Sequence, residues 1–64
     1  MMKAILEADG AGVTKISGYV TAKLGGASNA ALRRLGNQMA AQVGGGWKVT
    51  IEMTEGRRYL VFTK

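Results

Sequence analysis

The C-terminal residues alternate between apolar and polar side chains, and this alternation constrains the fold more than any other feature. It covers residues 47–54, stops at Glu55-Gly56, and is followed by a β-branched and aromatic segment over residues 57–63. A period of two is typical of a half-buried strand. A two-residue break that contains Gly suits a tight hairpin turn. We therefore expect a β-hairpin over residues 47–63.

Pairing outward from this turn predicts the register of the hairpin. Two apolar pairs share one face: Ile51 with Leu60, and Val49 with Phe62. Three pairs share the other face: Glu52 with Tyr59, Thr50 with Val61, and Thr54 with Arg57. A shift of one residue would move Val49 and Ile51 to the wrong face. We expect the last strand to form an edge of the sheet, which could accept a strand from a neighbouring chain.

The segment before the hairpin has the periodicity of a helix. Apolar residues recur three or four positions apart, at Leu32, Leu35, Met39 and Val43, and form one stripe. Ser28 or Asn29 can cap the start of this helix, and three consecutive Gly residues over 44–46 end it. We predict one amphipathic helix over about 28–43, packed on an antiparallel sheet. Gly36 lies on the apolar stripe, which predicts a close approach to another element.

Residues 3–24 fit two interpretations. In the first, residues 3–8 and 13–21 form a hairpin, which gives a ββαββ domain of the α+β class. In the second, a helix capped by Asp9 carries one apolar face, made by Val13, Ile16, Val20 and Leu24. The β-branched residues and Gly18 favour a strand, so we predict the N-terminal hairpin.

The composition limits the chemistry of this chain. Its 64 residues make a single domain, and they include no Cys and no His. Disulfides, ordinary zinc sites, thiol nucleophiles and imidazole bases are therefore excluded. We predict a non-enzymatic protein without catalytic residues, metal or cofactor. A domain this small buries only about 60% of the surface of its unfolded chain, so we expect protein partners, including further copies of the chain.

The chain carries no apolar run of the ~20 residues that a membrane span needs. Glu7 and Asp9 interrupt the apolar residues of the N-terminus, which therefore lacks the core of a signal peptide. We expect neither a membrane partner nor export.

Basic residues dominate the charge. The net charge is +5, and all four acidic residues lie near the ends of the chain. Tyr and Arg are enriched at protein interfaces, and a basic surface can contact phosphates, although it is also an ordinary solvated face of a soluble protein. The residues that we predict to form an interaction surface are Arg33, Arg34, Lys48, Arg57, Arg58 and Tyr59.

The second half of the chain has a recognisable order of segments. An Ala- and Arg-rich helix (Ala31-Leu32-Arg33-Arg34-Leu35, then Met39-Ala40-Ala41-Gln42) precedes a Gly-rich break, an aromatic residue, and Glu55-Gly56-Arg57-Arg58 before the last strand. This order resembles the small neck or head–tail connector (minor capsid) proteins of tailed phages. The resemblance implies a structural, ring-forming virion component with homo-oligomeric or virion partners, located in the virion or the host cytoplasm.

The sequence also supports an alternative function and a second similarity of fold. The alternative function is that of a small basic nucleic-acid-binding or regulatory protein. The order of helix, Gly turn, Trp-initiated strand and hairpin is also similar to bacterial immunoglobulin-binding and β-grasp domains, which bears on the fold only.

Overall fold

The computed structural model describes residues 2–20 and 25–64, which form two helices and one three-stranded antiparallel sheet. The α+β class is thereby confirmed. The elements in chain order are helix α1 (Met2–Gly10), strand β1 (Lys15–Tyr19), helix α2 (Asn29–Val43), strand β2 (Lys48–Thr54) and strand β3 (Arg57–Thr63). The strand order in the sheet is β1-β3-β2.

The first element is a helix, so the predicted strand over residues 3–8 and the ββαββ arrangement are wrong. Met, Lys, Ala, Leu and Glu, which make up most of this segment, are strong helix formers. Ile5 and Ala8 lie three positions apart and are both buried. The helix ends in a Schellman motif: Val13 N–H donates to the Ala8 carbonyl at 2.8 Å, and Gly12, at φ +77°, donates to the Asp9 carbonyl at 3.1 Å.

The second predicted strand is present as β1, so the alternative helix is wrong over these residues. The predicted end of this strand at Thr21, and Leu24 of the alternative helix, lie outside the described residues. β1 pairs with β3 and not with an N-terminal strand. β3 is therefore the central strand, and the prediction that it forms an edge is wrong. Among the described residues, the edges are β1 and β2.

The C-terminal hairpin has the predicted register. Ile51 pairs with Leu60, Val49 with Phe62, and Thr54 with Arg57. The turn residues Glu55 and Gly56 have φ angles of 54° and 75°, which is the type I′ geometry that continues the twist of the two strands. The hairpin was predictable because its turn and its periodicity are both local properties of the sequence.

Helix α2 also begins and ends close to the predicted positions. The Ser28 hydroxyl accepts a hydrogen bond from Ala31 N–H at 3.2 Å, and Gly44, at φ 78°, caps the other end by donating to the Ala40 carbonyl. The predicted close approach at Gly36 is confirmed, because a Cβ at this position would lie 2.5 Å from Val49 Cγ1.

One core cluster joins both helices to the sheet. Its buried members are Ile5, Ala8, Val20, Leu32, Ala40, Trp47, Leu60 and Phe62. The side chain of Lys64 closes one end of this core: it forms an ion pair with Asp9 of α1, and its ammonium lies 5.6 Å from the ring centroid of Trp47. The indole N–H of Trp47 is buried and finds no acceptor among the described residues.

Candidate nucleic-acid interface

The outward face of α2 consists only of Arg, Asn, Gln and Ala. The side chains that line a shallow depression along this face are Ala30, Arg33, Arg34, Asn37, Gln38 and Ala41. Ala30, Arg34, Asn37 and Ala41 follow one another at steps of four, three and four, so they form a single row along the helix. The helix contains no acidic residue, so the two positive charges of this face, from Arg33 and Arg34, have no negative neighbour on the helix.

This face is outward because the opposite face is fixed on the sheet. Leu32, Gly36 and Ala40 are buried and lie on one side of α2. The missing side chain of Gly36 lets the helix backbone approach Val49 of β2 and Leu60 of β3. A helix held this closely by its apolar stripe presents its polar side chains to solvent in one defined orientation.

The side chain of Arg58 joins the N-terminus of α2 to the β2–β3 hairpin. Its guanidinium donates to the carbonyls of Gly25 and Ala27, each at 2.7 Å, and to Asn29 Oδ1 at 3.2 Å. These acceptors lie immediately before α2 and at its first residue. Arg58 therefore holds the hairpin turn and the start of α2 at the same end of the molecule.

The six predicted interaction residues fall into three groups in the structure. Arg33 and Arg34 lie on the outward face of α2. Lys48, Arg57 and Tyr59 lie on the sheet face that neither described helix covers, because they alternate with the residues that pack against α2. Arg58 is on the helix side of the sheet, where its guanidinium is engaged by backbone carbonyls. Arg57 and Arg58 are adjacent in sequence but point to opposite faces.

The uncovered sheet face carries an aromatic pair beside Arg57. Tyr19 and Tyr59 face each other across β1 and β3, with ring centroids 5.7 Å apart in an edge-to-face arrangement. The Arg57 guanidinium lies 5.6 Å from the centroid of Tyr19, whose side chain is 52% exposed. Val61 is on the same face but only 1% exposed, so it adds no accessible surface beside Tyr59.

Three residues of these two surfaces, Asn37, Gln38 and Tyr19, are not among the predicted interaction residues. Asn37 and Gln38 were identifiable as surface positions from the helical phase of the apolar stripe, since they lie opposite Leu32 and Gly36. Tyr19 was not identifiable as a neighbour of Tyr59, because that contact depends on the pairing of β1 with β3, which are far apart in the sequence.

Comparison with family models, curated proteins and solved structures finds no match for this chain. Within residues 2–20 and 25–64, no group of three acidic side chains is placed to hold a metal ion. Neither described helix has the length and apolarity needed to cross a bilayer.

Proposed function

We propose that this protein binds duplex DNA with the outward face of α2 in the major groove. The observation that carries the proposal is the row of Ala, Arg and Asn side chains that α2 presents without any acidic neighbour on the helix. The major groove is about 12 Å wide and admits an α-helix. Arg pairs with the acceptors of guanine, and Asn and Gln pair with adenine. These are the polar residue types of this helix face.

Ala30 and Ala41 support the same orientation. A methyl side chain lets the helix backbone approach the base edges and can contact the methyl group of thymine. Arg33 lies on the flank of the row and is suited to a backbone phosphate. Longer apolar side chains at these positions would instead favour a protein groove as the partner of α2.

The two Arg residues on the outward face of α2 have different roles in this proposal. Arg34 lies in the row and faces the base edges, whereas Arg33 lies on its flank, beside the phosphate backbone. Arg57 takes no part, because it lies on the sheet face away from α2. Contacts to phosphates position a protein on DNA, and contacts to base edges specify the sequence.

The assembly role is the second candidate function. It is favoured by the edge strand β2, which no described strand covers and whose Met53 is strongly exposed. The more specific role in a phage neck, with virion partners and a location in the virion or host cytoplasm, stays a prediction from the sequence resemblance.

Binding of a labelled duplex with mixed sequence, followed by fluorescence anisotropy at about 50 mM salt, tests the DNA proposal. We expect Arg34→Gln to weaken binding by about tenfold, as is typical when a groove contact is lost. Lys15→Gln is the matched control, because it removes the same charge from the sheet face that lies away from α2. We expect this control to weaken binding by less than about twofold.

Two further measurements test the proposal: the dependence of binding on salt concentration, and binding to duplex RNA. The slope of log K against log salt falls by about one unit when a phosphate contact is lost, so we expect that change for Arg33→Gln. A duplex RNA of the same sequence should bind more weakly, because the major groove of A-form RNA is too deep and narrow for side chains. The proposal would be contradicted if Arg34→Gln and Lys15→Gln lowered the affinity for the DNA duplex equally, or if the wild type did not bind the duplex at low salt.

A further inference from the structure

We propose that the edge of β2 pairs with β2 of a second copy of the chain, giving a two-fold dimer with a continuous six-stranded sheet. The inference concerns a different surface from the DNA-binding face and does not depend on it. It rests on the free backbone groups of β2, on the side chains beside them, and on the charges of Lys48 and Glu52.

Backbone hydrogen bonding decides which residues of β2 are free to pair. In an antiparallel ladder, the bonded and non-bonded pairs alternate along the strands. A two-residue turn makes its flanking residues Thr54 and Arg57 a bonded pair, so the N–H and C=O groups of Thr50 and Glu52 also point toward β3. The groups of Val49, Ile51 and Met53 therefore point away from β3, toward the edge that no described strand covers.

These three residues match their own copies in an antiparallel arrangement. A two-fold axis through Ile51 places Ile51 opposite its counterpart and Val49 opposite Met53 of the other copy. In this register all three residues with free backbone groups form bonded pairs at once. Registers shifted along the strand leave at least one of them without a partner, so the centred register is favoured.

The side chains on the helix side of β2 are apolar and incompletely covered. Val49 and Ile51 are only partly buried within one chain, and Met53 is 68% exposed. In the proposed dimer, Met53 of each copy covers Val49 of the other, which removes apolar surface from water. The strand has no Pro, and it has no charged residue on this side, so it lacks two of the features that commonly keep an edge strand from pairing.

The charges on the other side of β2 are complementary across the two-fold axis. Lys48 faces Thr54 of the other copy and lies diagonally beside its Glu52, and the two-fold axis repeats this ion pair. Diagonal neighbours on paired strands are within reach of long side chains. Within one chain, Lys48 and Glu52 are four residues apart on the same strand, about 13 Å along it, and do not interact. The complementarity is therefore a property of the pair of chains.

Sedimentation velocity over a range of protein concentrations, without nucleic acid, tests the proposal. We expect the wild type to dimerise and Glu52→Lys to weaken dimerisation by about tenfold, because two attractive cross-strand pairs become repulsive. Lys48→Glu should have the same effect. The double variant Lys48→Glu/Glu52→Lys restores both pairs with their signs exchanged and should dimerise like the wild type. Both side chains are exposed, so none of these changes disturbs the core.

Amide hydrogen exchange identifies the strand at the interface. In the dimer, the amides of Val49, Ile51 and Met53 should be protected, whereas in the dilute monomer they should exchange rapidly. The amides of Thr50 and Glu52 serve as internal controls, because they bond to β3 in both states. A monomer at millimolar concentration, a dimer in which the first three amides exchange freely, or a double variant no better than the single variants would each overturn the proposal.

Discussion

At the scale of single residues, Gly36 determines how closely α2 packs on the sheet. Replacement by Ala would raise helix propensity by about 1 kcal/mol, but the new Cβ would lie 2.5 Å from Val49 Cγ1, which forces the helix or Val49 to move. Overpacking of this kind costs about 1–3 kcal/mol. We expect Gly36→Ala to lower the free energy of unfolding by about 1 kcal/mol, measured by urea denaturation with fluorescence of the buried Trp47.

The matched control for this prediction is a double-mutant cycle with Val49. Val49→Ala removes the methyl group that the new Cβ would meet, so the double variant should lose less stability than the sum of the two single losses. Strict additivity of the two losses, or a stabilised Gly36→Ala variant, would show that α2 does not depend on this close contact. The stripe of apolar residues predicted a close approach at Gly36, but the partner Val49 could be named only from the structure.

At the scale of elements, the side chain of Arg58 couples the hairpin to the start of α2. Its three hydrogen bonds use the planar, forked geometry of a guanidinium, which the point-like ammonium of Lys does not reproduce. We expect Arg58→Lys to lower the free energy of unfolding by about 1 kcal/mol. This is less than the about 1.5–3 kcal/mol of a bond to a charged group, because the site is partly exposed and Lys keeps the charge.

Arg57→Lys is the control for the Arg58→Lys prediction, because it makes the same replacement, also without a change of charge, at the adjacent exposed position. We expect it to change stability by less than about 0.5 kcal/mol. In Arg58→Lys, amide exchange at Ala31 and Leu32 should also accelerate, since the loop before α2 is less well held. Equal effects of the two variants in urea denaturation would show that Arg58 acts only through its charge.

The elements also show which parts of the fold follow from sequence. The register of the β2–β3 hairpin and the limits of α2 were predictable, because turn residues, capping residues and periodicity are local. The helix α1 was not predicted, since a short apolar segment fits a strand or a helix and its tertiary contacts decide between them. The pairing of β1 with β3 joins distant segments, so the central position of β3 could not be derived. The six interaction residues could be named from the sequence. Their division between the outward face of α2 and the two sides of the sheet could not, because the packing of α2 determines which sheet face stays open.

At the scale of the whole molecule, the core joins every element into one cluster, and α1 is part of it. Ile5 is fully buried, whereas the adjacent Leu6 is 53% exposed. Replacement of a buried Ile by Ala costs about 2–5 kcal/mol. A chain of 64 residues has a total stability of only about 3–10 kcal/mol by the usual value per residue. One side chain of α1 therefore accounts for a large share of the stability of the whole domain.

This leads to a prediction about cooperativity. Ile5→Ala should lower the urea midpoint reported by Trp47, which lies outside α1, by the same amount as the midpoint reported by far-UV circular dichroism. Leu6→Ala, the control on the same helix, should change both midpoints little, because its side chain is largely in water. If Ile5→Ala reduced the helical signal while the Trp47 transition stayed in place, α1 would unfold separately, and β1, α2 and the hairpin would form the stable unit. Coincident transitions would instead mean that α1, although absent from the sequence-based fold, is required for the orientation of α2 and so for both proposed interfaces.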